Sequence, residues 1–399
     1  MTVPHWAFDY ERARHETPGA EGVIHFNNAG AALVPECVLE TVIEHLRFEA
    51  RIGGYEAANA RASELEAVYS SAAKLINARP DEIALVEHAT RAWDSAFYAV
   101  PLGPGDRILT SVVEYAANFV AFLQMSKRTG VMVDVVSSDE SGAIDVSALR
   151  DSIDERVKLI ALTHVPTNGG LVNPAAEVGR VAREAGILYL LDACQSVGQM
   201  PIDVEAIGCD MMSVTGRKFL RGPRGTGFLY VRRSALERLE PLMIDHHAAE
   251  WTSPGEYRLR PDARRFENWE SNIACRLGLG AAIDYAMSWR IEDIRDRVYG
   301  LADRLRLRLA NIPGVTVCDL GVERCGIVTF TKDGEDAVTV RDRLSAHSIN
   351  VTVSDVLSTR LDMEARRLEN IVRASVHYYN TDDEIDLVCG CLLYTSRCV

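Results

Sequence analysis

The 399-residue chain has no long apolar run. No stretch approaches the roughly 20 apolar residues that a membrane-spanning helix needs. Its opening, Met1–Tyr10, lacks the basic start and apolar core of a secretion signal. No proline- or serine-rich linker divides the chain, and no internal repeat is visible. We therefore expect domains that pack closely together and no membrane partner.

Paired cysteine spacing and excess positive charge are also missing. The nine cysteines are an odd number, and none of them stand in a C-x-x-C pair. This argues against a disulfide framework or a metal site and favours a reducing cytoplasm. The formal net charge of −14 argues against nucleic acid or an anionic membrane surface as a partner.

What the chain does contain is an alternation of short apolar runs and helix-length segments. This pattern predicts an α/β fold with a mostly parallel sheet covered on both faces. After Asn272 the pattern of apolar and polar residues changes, which predicts a smaller α+β C-terminal domain. This domain begins with one long helical run over about Arg276–Leu309. The predicted strands of the large domain are Ile83–Val86, Arg107–Thr110, Met132–Val136, Leu159–Thr163, Leu188–Leu191, Met211–Val214 and Gly227–Val231.

The length suggests two domains, because a single core rarely serves so long a chain. We expect residues 1–20 to pack on the small domain, residues 21–275 to form the large domain and residues 276–390 to form the small one. Residues 391–399 read as a translated sequencing-adapter end and are expected to be a non-native tail. A natural frayed tail is the alternative.

A lysine and an acid carry the chemistry. Asp192 closes the apolar run Ile187–Leu191, and Lys218 lies downstream in the polar turn Thr215–Phe219. A carboxylate can keep a pyridine nitrogen protonated, and an amine can bond the aldehyde carbon of pyridoxal phosphate. Taken singly, Lys218 would be a surface lysine and Asp192 an ordinary strand-end acid. Ligands gather at the carboxyl ends of parallel strands, which favours the functional interpretation of the pair.

The order and spacing of Asp192, Gln195 and Lys218 resemble those of the class V aminotransferase family, which includes the cysteine desulfurases. The resemblance runs from about Asn27 to Ile385. It implies pyridoxal-phosphate fold type I, with Lys218 bonded to the cofactor and later acting as a base. It further implies that Asp192 pairs with the ring nitrogen and that Gln195 donates to the ring hydroxyl oxygen.

The cofactor phosphate needs donors at a helix start. The segment Glu87–Arg91 follows a strand and opens a helix, so its amides and the Thr90 hydroxyl suit a dianion. For Thr90 the alternative is a plain helix cap. Thr215 and Arg217 stand where the family has Ser and His beside the lysine, and both could reach the phosphate. The predicted phosphate-binding residues are Ala89, Thr90, Arg91, Thr215 and Arg217.

Other parts of the resemblance concern the ring and the substrate. Tyr115 matches the residue that stacks on the ring and is also assigned to catalysis; a half-buried helix-start tyrosine is the alternative. Cys194 replaces a small residue below the ring. Thr167 aligns with an Asn that touches the ring oxygen, and Asn168 is adjacent, so either could make that contact. The predicted substrate-binding residues are Arg373, which would grip the carboxylate, and Asn28, Ala29 and Gly30.

Two departures from the family pattern limit the reaction. The region Asn350–Asn370, where a desulfurase carries its persulfide-forming cysteine, contains no cysteine. Glu270 stands where the family often has a Thr that reaches the partner subunit's phosphate. We expect Glu270 to pair with Arg217 or Arg224 instead.

The resulting hypothesis is a homodimeric, pyridoxal-phosphate-dependent enzyme acting at the α-carbon of an amino acid. Segments such as Arg51–Tyr55 and Gly222–Gly225 are similar to a subgroup with sulfoxide and cystine lyases. This favours a carbon–sulfur lyase that works by β-elimination. An aminotransferase is the main alternative, epimerisation or carbon–carbon bond chemistry stays open, and a non-catalytic cofactor-binding protein is a remote possibility.

Overall fold

The computed structural model describes residues 8–393, and a seven-stranded sheet forms its centre. Six strands are parallel, and Gly227–Val231 is antiparallel to both of its neighbours. The predicted mostly parallel sheet is therefore confirmed. In their order across the sheet, the strands are Ile83–Val86, Gly227–Val231, Met211–Thr215, Leu188–Asp192, Val157–Thr163, Arg107–Ser111 and Met132–Val136.

Both faces of this sheet are covered, which explains why its central strands are apolar without alternation. Along Val157–Thr163, Leu159 and Ala161 join one hydrophobic cluster, while Ile160 and Leu162 join another on the opposite face. The helices of this part are Glu36–Ile52, Gly54–Ala60, Ala62–Leu75, Ala89–Phe97, Ala116–Thr129, Val146–Asp151, Ala175–Ala185, Val204–Ile207 and Ile273–Ser288. Between the last two helices, a hairpin pairs Ala249–Ser253 with Glu256–Leu259.

A second, four-stranded antiparallel sheet lies in the C-terminal part. Its strands, in order, are Val315–Val317, Ile327–Lys332, Asn370–Ser375 and Thr352–Asp355. The helices around it are Ile291–Ala310, Ala337–Ser345, Arg360–Ala365 and Asp382–Leu393. The early strand Ile24–His25 pairs in parallel with Ile349–Asn350, and the helix Tyr10–His15 is tied to the last helix by an Arg14–Glu384 salt bridge of 2.7 Å.

One predicted helix is interrupted in the structure. The long helical run expected over Arg276–Leu309 is two helices, Ile273–Ser288 and Ile291–Ala310. The break falls at Arg290, whose backbone has a φ of 59° and cannot continue a right-handed helix. The boundary predicted at residues 275 and 276 lies inside the first of these helices, whose Leu279 and Ile283 pack in the core of the large sheet.

The ends of the chain add two facts. Cys391 and Leu392 are buried within the last helix, whereas residues 394–399 of the predicted tail lie outside the described residues. Within residues 8–393, no helix combines the length and the hydrophobicity needed to cross a membrane.

Candidate active site

A cavity of about 320 Å³ opens at the carboxyl ends of the parallel strands, where ligands of such sheets bind. It brings together side chains from segments far apart in the sequence. The predicted residues that line it are Ala89, Thr90, Tyr115, Thr167, Asp192, Gln195, Thr215, Arg217 and Lys218. Residues that line it without having been predicted as ligands are His88, Asn118, Thr163, Val165, Cys194, Arg224 and Gly225.

Lys218 is presented to this cavity by a tight turn after the strand Met211–Thr215. The turn is closed by two backbone bonds, from Gly222 N to Gly216 O at 2.7 Å and from Arg221 N to Lys218 O at 2.9 Å. Burial, together with the nearby Arg217, lowers the pKa of the Lys218 amine to about 8, while Cys194 and Asp192 oppose the shift. A substantial fraction of this amine is therefore neutral near neutral pH and able to act as a nucleophile.

Asp192 ends its strand with the carboxylate buried at the cavity wall, 7% exposed. Its Oδ1 accepts a hydrogen bond from the Cys194 amide at 2.9 Å, and its Oδ2 accepts one from Asn118 Nδ2 at 2.9 Å. Within residues 8–393, no lysine or arginine forms a salt bridge with it. Two neutral donors orient the acid but do not neutralise it, which suits a carboxylate that must hold a protonated ring nitrogen.

The helix Ala89–Phe97 begins at the cavity and offers its first amides to an anion. Arg91, whose amide is among those predicted to hold the phosphate, does not line the cavity. Its Nη2 donates to Asn268 Oδ1 at 3.0 Å, and its amide is already used by His88 Nδ1 at 3.1 Å. Arg217 lines the cavity, and its guanidinium also donates to the Gly30 carbonyl, so it touches the segment predicted to bind substrate.

Arg373 is a buried cation that lacks an anion. It lies on the strand Asn370–Ser375, is 8% exposed, and donates to the carbonyl oxygen of Thr167 at 3.3 Å and to its hydroxyl. Its Nε has no partner among the described residues. Burial lowers the pKa of Arg373 to about 10, which records how poorly its charge is solvated. Such a guanidinium is suited to a bidentate contact with a carboxylate.

Arg373 does not itself line the cavity, but Thr167 and Gln195, which do, connect it to the cavity wall. Gln195 Nε2 donates to the Ala29 carbonyl at 3.2 Å and to Thr167 Oγ1 at 3.4 Å. The Thr167 hydroxyl oxygen therefore accepts hydrogen bonds from both Gln195 and Arg373. Gln195 Oε1 has no partner within the part of the chain that the structure describes, so the side chain keeps a free polar atom for a ligand.

Two predicted site residues have structural partners instead. Asn168 Nδ2 donates to Thr359 Oγ1 at 2.8 Å and to the Asp355 carbonyl at 3.4 Å, so it holds the segment before Arg373 and does not line the cavity. Asn28 is fully buried and donates to the Ser375 carbonyl at 2.7 Å. It contributes shape to the site, because it fixes the Ala29–Gly30 backbone beside the cavity.

The expected pairing of Glu270 with Arg217 or Arg224 is not found in residues 8–393. Glu270 is exposed, whereas Glu267 of the same loop is the buried acid. Glu267 accepts bonds from Tyr69 Oη at 2.9 Å and from the Leu85 amide at 2.8 Å.

The acid Glu114 and its partner Asn118 were missed by the sequence interpretation. Asn118 lies on the helix Ala116–Thr129, one turn after Tyr115, and it reaches Asp192. Burial raises the pKa of Glu114 to about 7, against the lowering effect of hydrogen bonds from Thr163 and Asn118. Glu114 precedes this helix, so no helical spacing marked the pair in the sequence.

The fold and the site together define a class of enzyme. An α/β protein with a mostly parallel sheet, a turn-borne lysine and a strand-end acid at its carboxyl edge is a fold type I pyridoxal-phosphate protein. The chain belongs to the aminotransferase class-V family, whose model matches residues 24–388. Membership of this family implies pyridoxal 5'-phosphate as the cofactor, as the sequence predicts.

Individual relatives agree with this assignment. A protein of Methanothermobacter thermautotrophicus named probable cysteine desulfurase is 30% identical over 384 residues, covering 95% of this chain and 96% of the relative. The apo structure of a cysteine desulfurase from Thermococcus onnurineus NA1 matches with a TM-score of 0.89 at 26% identity and covers 98% of both chains. The cystine C–S lyase C-DES, in complex with cysteine persulfide, matches in fold with a TM-score of 0.86 at 22% identity, covering 94% of this chain and 99% of that one.

Proposed function

We propose that the protein is a pyridoxal-phosphate-dependent lyase that eliminates a sulfur-linked or similar group from the β-carbon of an amino acid. It does so without a persulfide-forming cysteine. The observation that carries this proposal is the composition of the segment before Arg373. Residues 350–370 contain no cysteine, and the cysteine that lines the cavity is Cys194, which is buried.

The role of each side chain follows from its environment. When bound, pyridoxal phosphate makes the α-proton of an amino acid acidic. Asp192 would hold the ring nitrogen protonated, and Tyr115 would cover the ring face. Arg373 would bind the substrate carboxylate, while Lys218 Nζ would take the α-proton. The start of the helix Ala89–Phe97, together with Thr90, Thr215 and Arg217, would hold the phosphate.

Persulfide transfer is disfavoured because the thiol of Cys194, which lines the cavity, is buried and hard to ionise. A nucleophilic cysteine must be exposed and readily ionised. Burial raises the pKa of Cys194 well above its usual value, and its Sγ faces the Ser213 carbonyl at 3.8 Å. The segment before Arg373 is also held in place, because the Ser358 carbonyl accepts the Ala116 amide at 3.0 Å beside Tyr115. We therefore expect sulfur to leave with the product.

Carbon–sulfur bond cleavage is favoured over transamination by what the relatives are called. Both cysteine desulfurase and cystine C–S lyase describe the breaking of a carbon–sulfur bond. In an elimination, the base takes the α-proton and the electron pair of the Cβ–S bond leaves with sulfur. Water then completes the reaction, which releases pyruvate and ammonia. An aminotransferase would need a keto acid to accept the amino group.

The products decide between these reactions. We expect the holoenzyme, mixed with cystine and other S-substituted cysteines, to release pyruvate and ammonia in equal amounts without an added keto acid. Cys194→Ser should retain activity to within about twofold, since a buried thiol that only packs loses little by this change. Pyruvate and ammonia are measured by coupled assays, and protein-bound sulfur is measured by cyanolysis. Strict dependence on a keto acid would establish transamination, and bound sulfur that disappears in Cys194→Ser would restore a persulfide mechanism.

The lowered pKa of Lys218 predicts how cofactor attachment depends on pH. Because only the neutral amine can bond the aldehyde, the attachment rate should rise about tenfold per pH unit below about pH 8 and level off above it. The measurement is the rate at which visible absorbance appears when apo-protein is mixed with excess pyridoxal phosphate. A rate that keeps rising to about pH 10 would instead indicate an ordinary lysine.

We also propose that the active species is a homodimer in the cytoplasm. Support comes from exposed aromatic side chains, since Trp251 is 78% exposed, its cross-strand partner Tyr257 is 55% exposed and Trp269 is 53% exposed. Large exposed apolar side chains that cluster mark association surfaces. The loop that carries Trp269 is the one for which the family resemblance implies a contact with the partner subunit's phosphate.

A further inference from the structure

Glu114 is a buried acid that the proposed reaction does not use. It lies between the strand Arg107–Ser111 and the helix Ala116–Thr129, and it is 3% exposed. Within residues 8–393 it forms no salt bridge with a lysine or arginine. A carboxylate in such a place costs free energy unless every lone pair finds a donor. Packing alone therefore does not explain why an acid occupies this position.

Four donors converge on this carboxylate. Thr110 Oγ1 donates to Oε2 at 3.0 Å. The Tyr115 amide donates to Oε1 at 2.8 Å, and the Asn118 side chain donates to the same oxygen at 2.9 Å. The Thr163 hydroxyl also donates to Oε1. Three of these donors, from Tyr115, Asn118 and Thr163, belong to residues that line the cavity.

Asn118 joins the two acids. Its Nδ2 donates to Glu114 Oε1 and to Asp192 Oδ2, each at 2.9 Å. An amide nitrogen carries two hydrogens, so both are used, one on each carboxylate. If the amide were rotated, its oxygen would face Asp192 and repel it. An acceptor at Glu114 therefore selects the rotamer that gives Asp192 a donor.

We propose that Glu114 is a positioning residue that fixes Asn118, and through it the Asp192 carboxylate, in the orientation that receives the cofactor ring nitrogen. The same carboxylate holds the backbone amide of Tyr115, the residue expected to cover the ring. Glu114 thus helps to position both Asp192, which would contact the ring nitrogen, and Tyr115, which would cover the ring face. This inference rests on the proposed function, because Asp192 needs this orientation only if a pyridine ring binds.

The test compares apo-proteins reconstituted with pyridoxal phosphate. In Glu114→Gln, the new amide places hydrogens where donors already converge, so Asn118 should turn away from Asp192. We expect the Kd for pyridoxal phosphate to rise about tenfold or more, the effect of losing a charge-assisted hydrogen bond. The visible circular dichroism per bound cofactor should fall as well, because the ring is no longer held in one orientation. Fluorescence titration measures the Kd.

Two further variants separate positioning from stability. Asn118→Leu removes the bridging amide, and the double variant should be no worse than either single one, because both act through the same contact. Glu82→Gln is the matched control. Glu82 is also a buried acid, and it accepts bonds from the backbone of Arg79 at 3.1 Å and of Arg233 at 2.8 Å, outside the cavity. This control should unfold at a lower temperature but retain the wild-type Kd and dichroism.

Several results would overturn the proposal. One is a Glu114→Gln protein that loses only thermal stability, like the control. Another is strictly additive effects in the double variant. If Glu114→Gln does not fold, Asn118→Leu decides, and a wild-type Kd and dichroism in that variant would refute the bridge. A wild-type protein that binds no pyridoxal phosphate would instead refute the proposed function, so the two failures are distinguishable.

Discussion

Lys218→Ala should abolish the borohydride-reducible visible chromophore and lower elimination activity on the order of 10⁴-fold. Two effects combine, because the same amine bonds the cofactor and takes the α-proton. The surroundings of Lys218 prepare it for both tasks, since burial and Arg217 keep its pKa at about 8. Absorbance spectra before and after reduction, with pyruvate release, measure the two effects separately.

Lys158→Ala is the control for this prediction. Lys158 lies on the strand next to that of Asp192, but it is exposed, and its Nζ donates to the Glu155 carbonyl at 2.7 Å. Its removal should leave the chromophore and the activity unchanged. A chromophore that survives in Lys218→Ala and disappears in Lys158→Ala would move the cofactor to another lysine and end the present assignment of the site.

The lysine and the acid were predictable because each is encoded locally. A buried strand reads as an apolar run, and the residue that ends it reaches the carboxyl edge of the sheet whatever the rest of the chain does. The same logic placed Thr90 at a helix start and Thr215 at a strand end. For the fold, all seven strands of the large sheet were found in sequence to within a residue or two at each end. The positions of such residues can be predicted without knowing which distant segments they contact.

Contacts between distant segments were not predictable in the same way. Asn168 and Thr167 are neighbours, and only the approach of residues 355–359 determines that Asn168 holds that segment while Thr167 faces the cavity. Arg91 was assigned to the phosphate through its amide, yet that amide donates to His88 and its guanidinium donates to Asn268. Glu114 passed unnoticed because its value depends on Asn118 reaching a strand that comes much later in the sequence.

Arg373→Met should raise the KM for the amino acid by about 10²-fold or more, with a smaller effect on kcat. The guanidinium is buried and donates to Thr167, but within residues 8–393 it forms no salt bridge with an acid. A buried cation without a counter-ion lowers the stability of a fold. The apo-protein should therefore unfold no more easily when Arg373 becomes an apolar side chain of similar length. Initial-rate kinetics and denaturant unfolding of the apo-protein provide the two measurements.

Arg306→Met offers the opposite case, because Arg306 lies on the helix Ile291–Ala310, which packs against the same sheet. Arg306 is 5% exposed, but its Nε donates to Asp319 Oδ2 at 2.7 Å and its Nη2 donates to the Ile327 carbonyl at 2.8 Å. Removing it leaves Asp319 buried without its partner, which should cost about 3–5 kcal/mol of stability. Its KM should stay at the wild-type value. If Arg373→Met behaves like Arg306→Met, losing stability while keeping its KM, then Arg373 serves the fold, and the substrate carboxylate must be bound elsewhere.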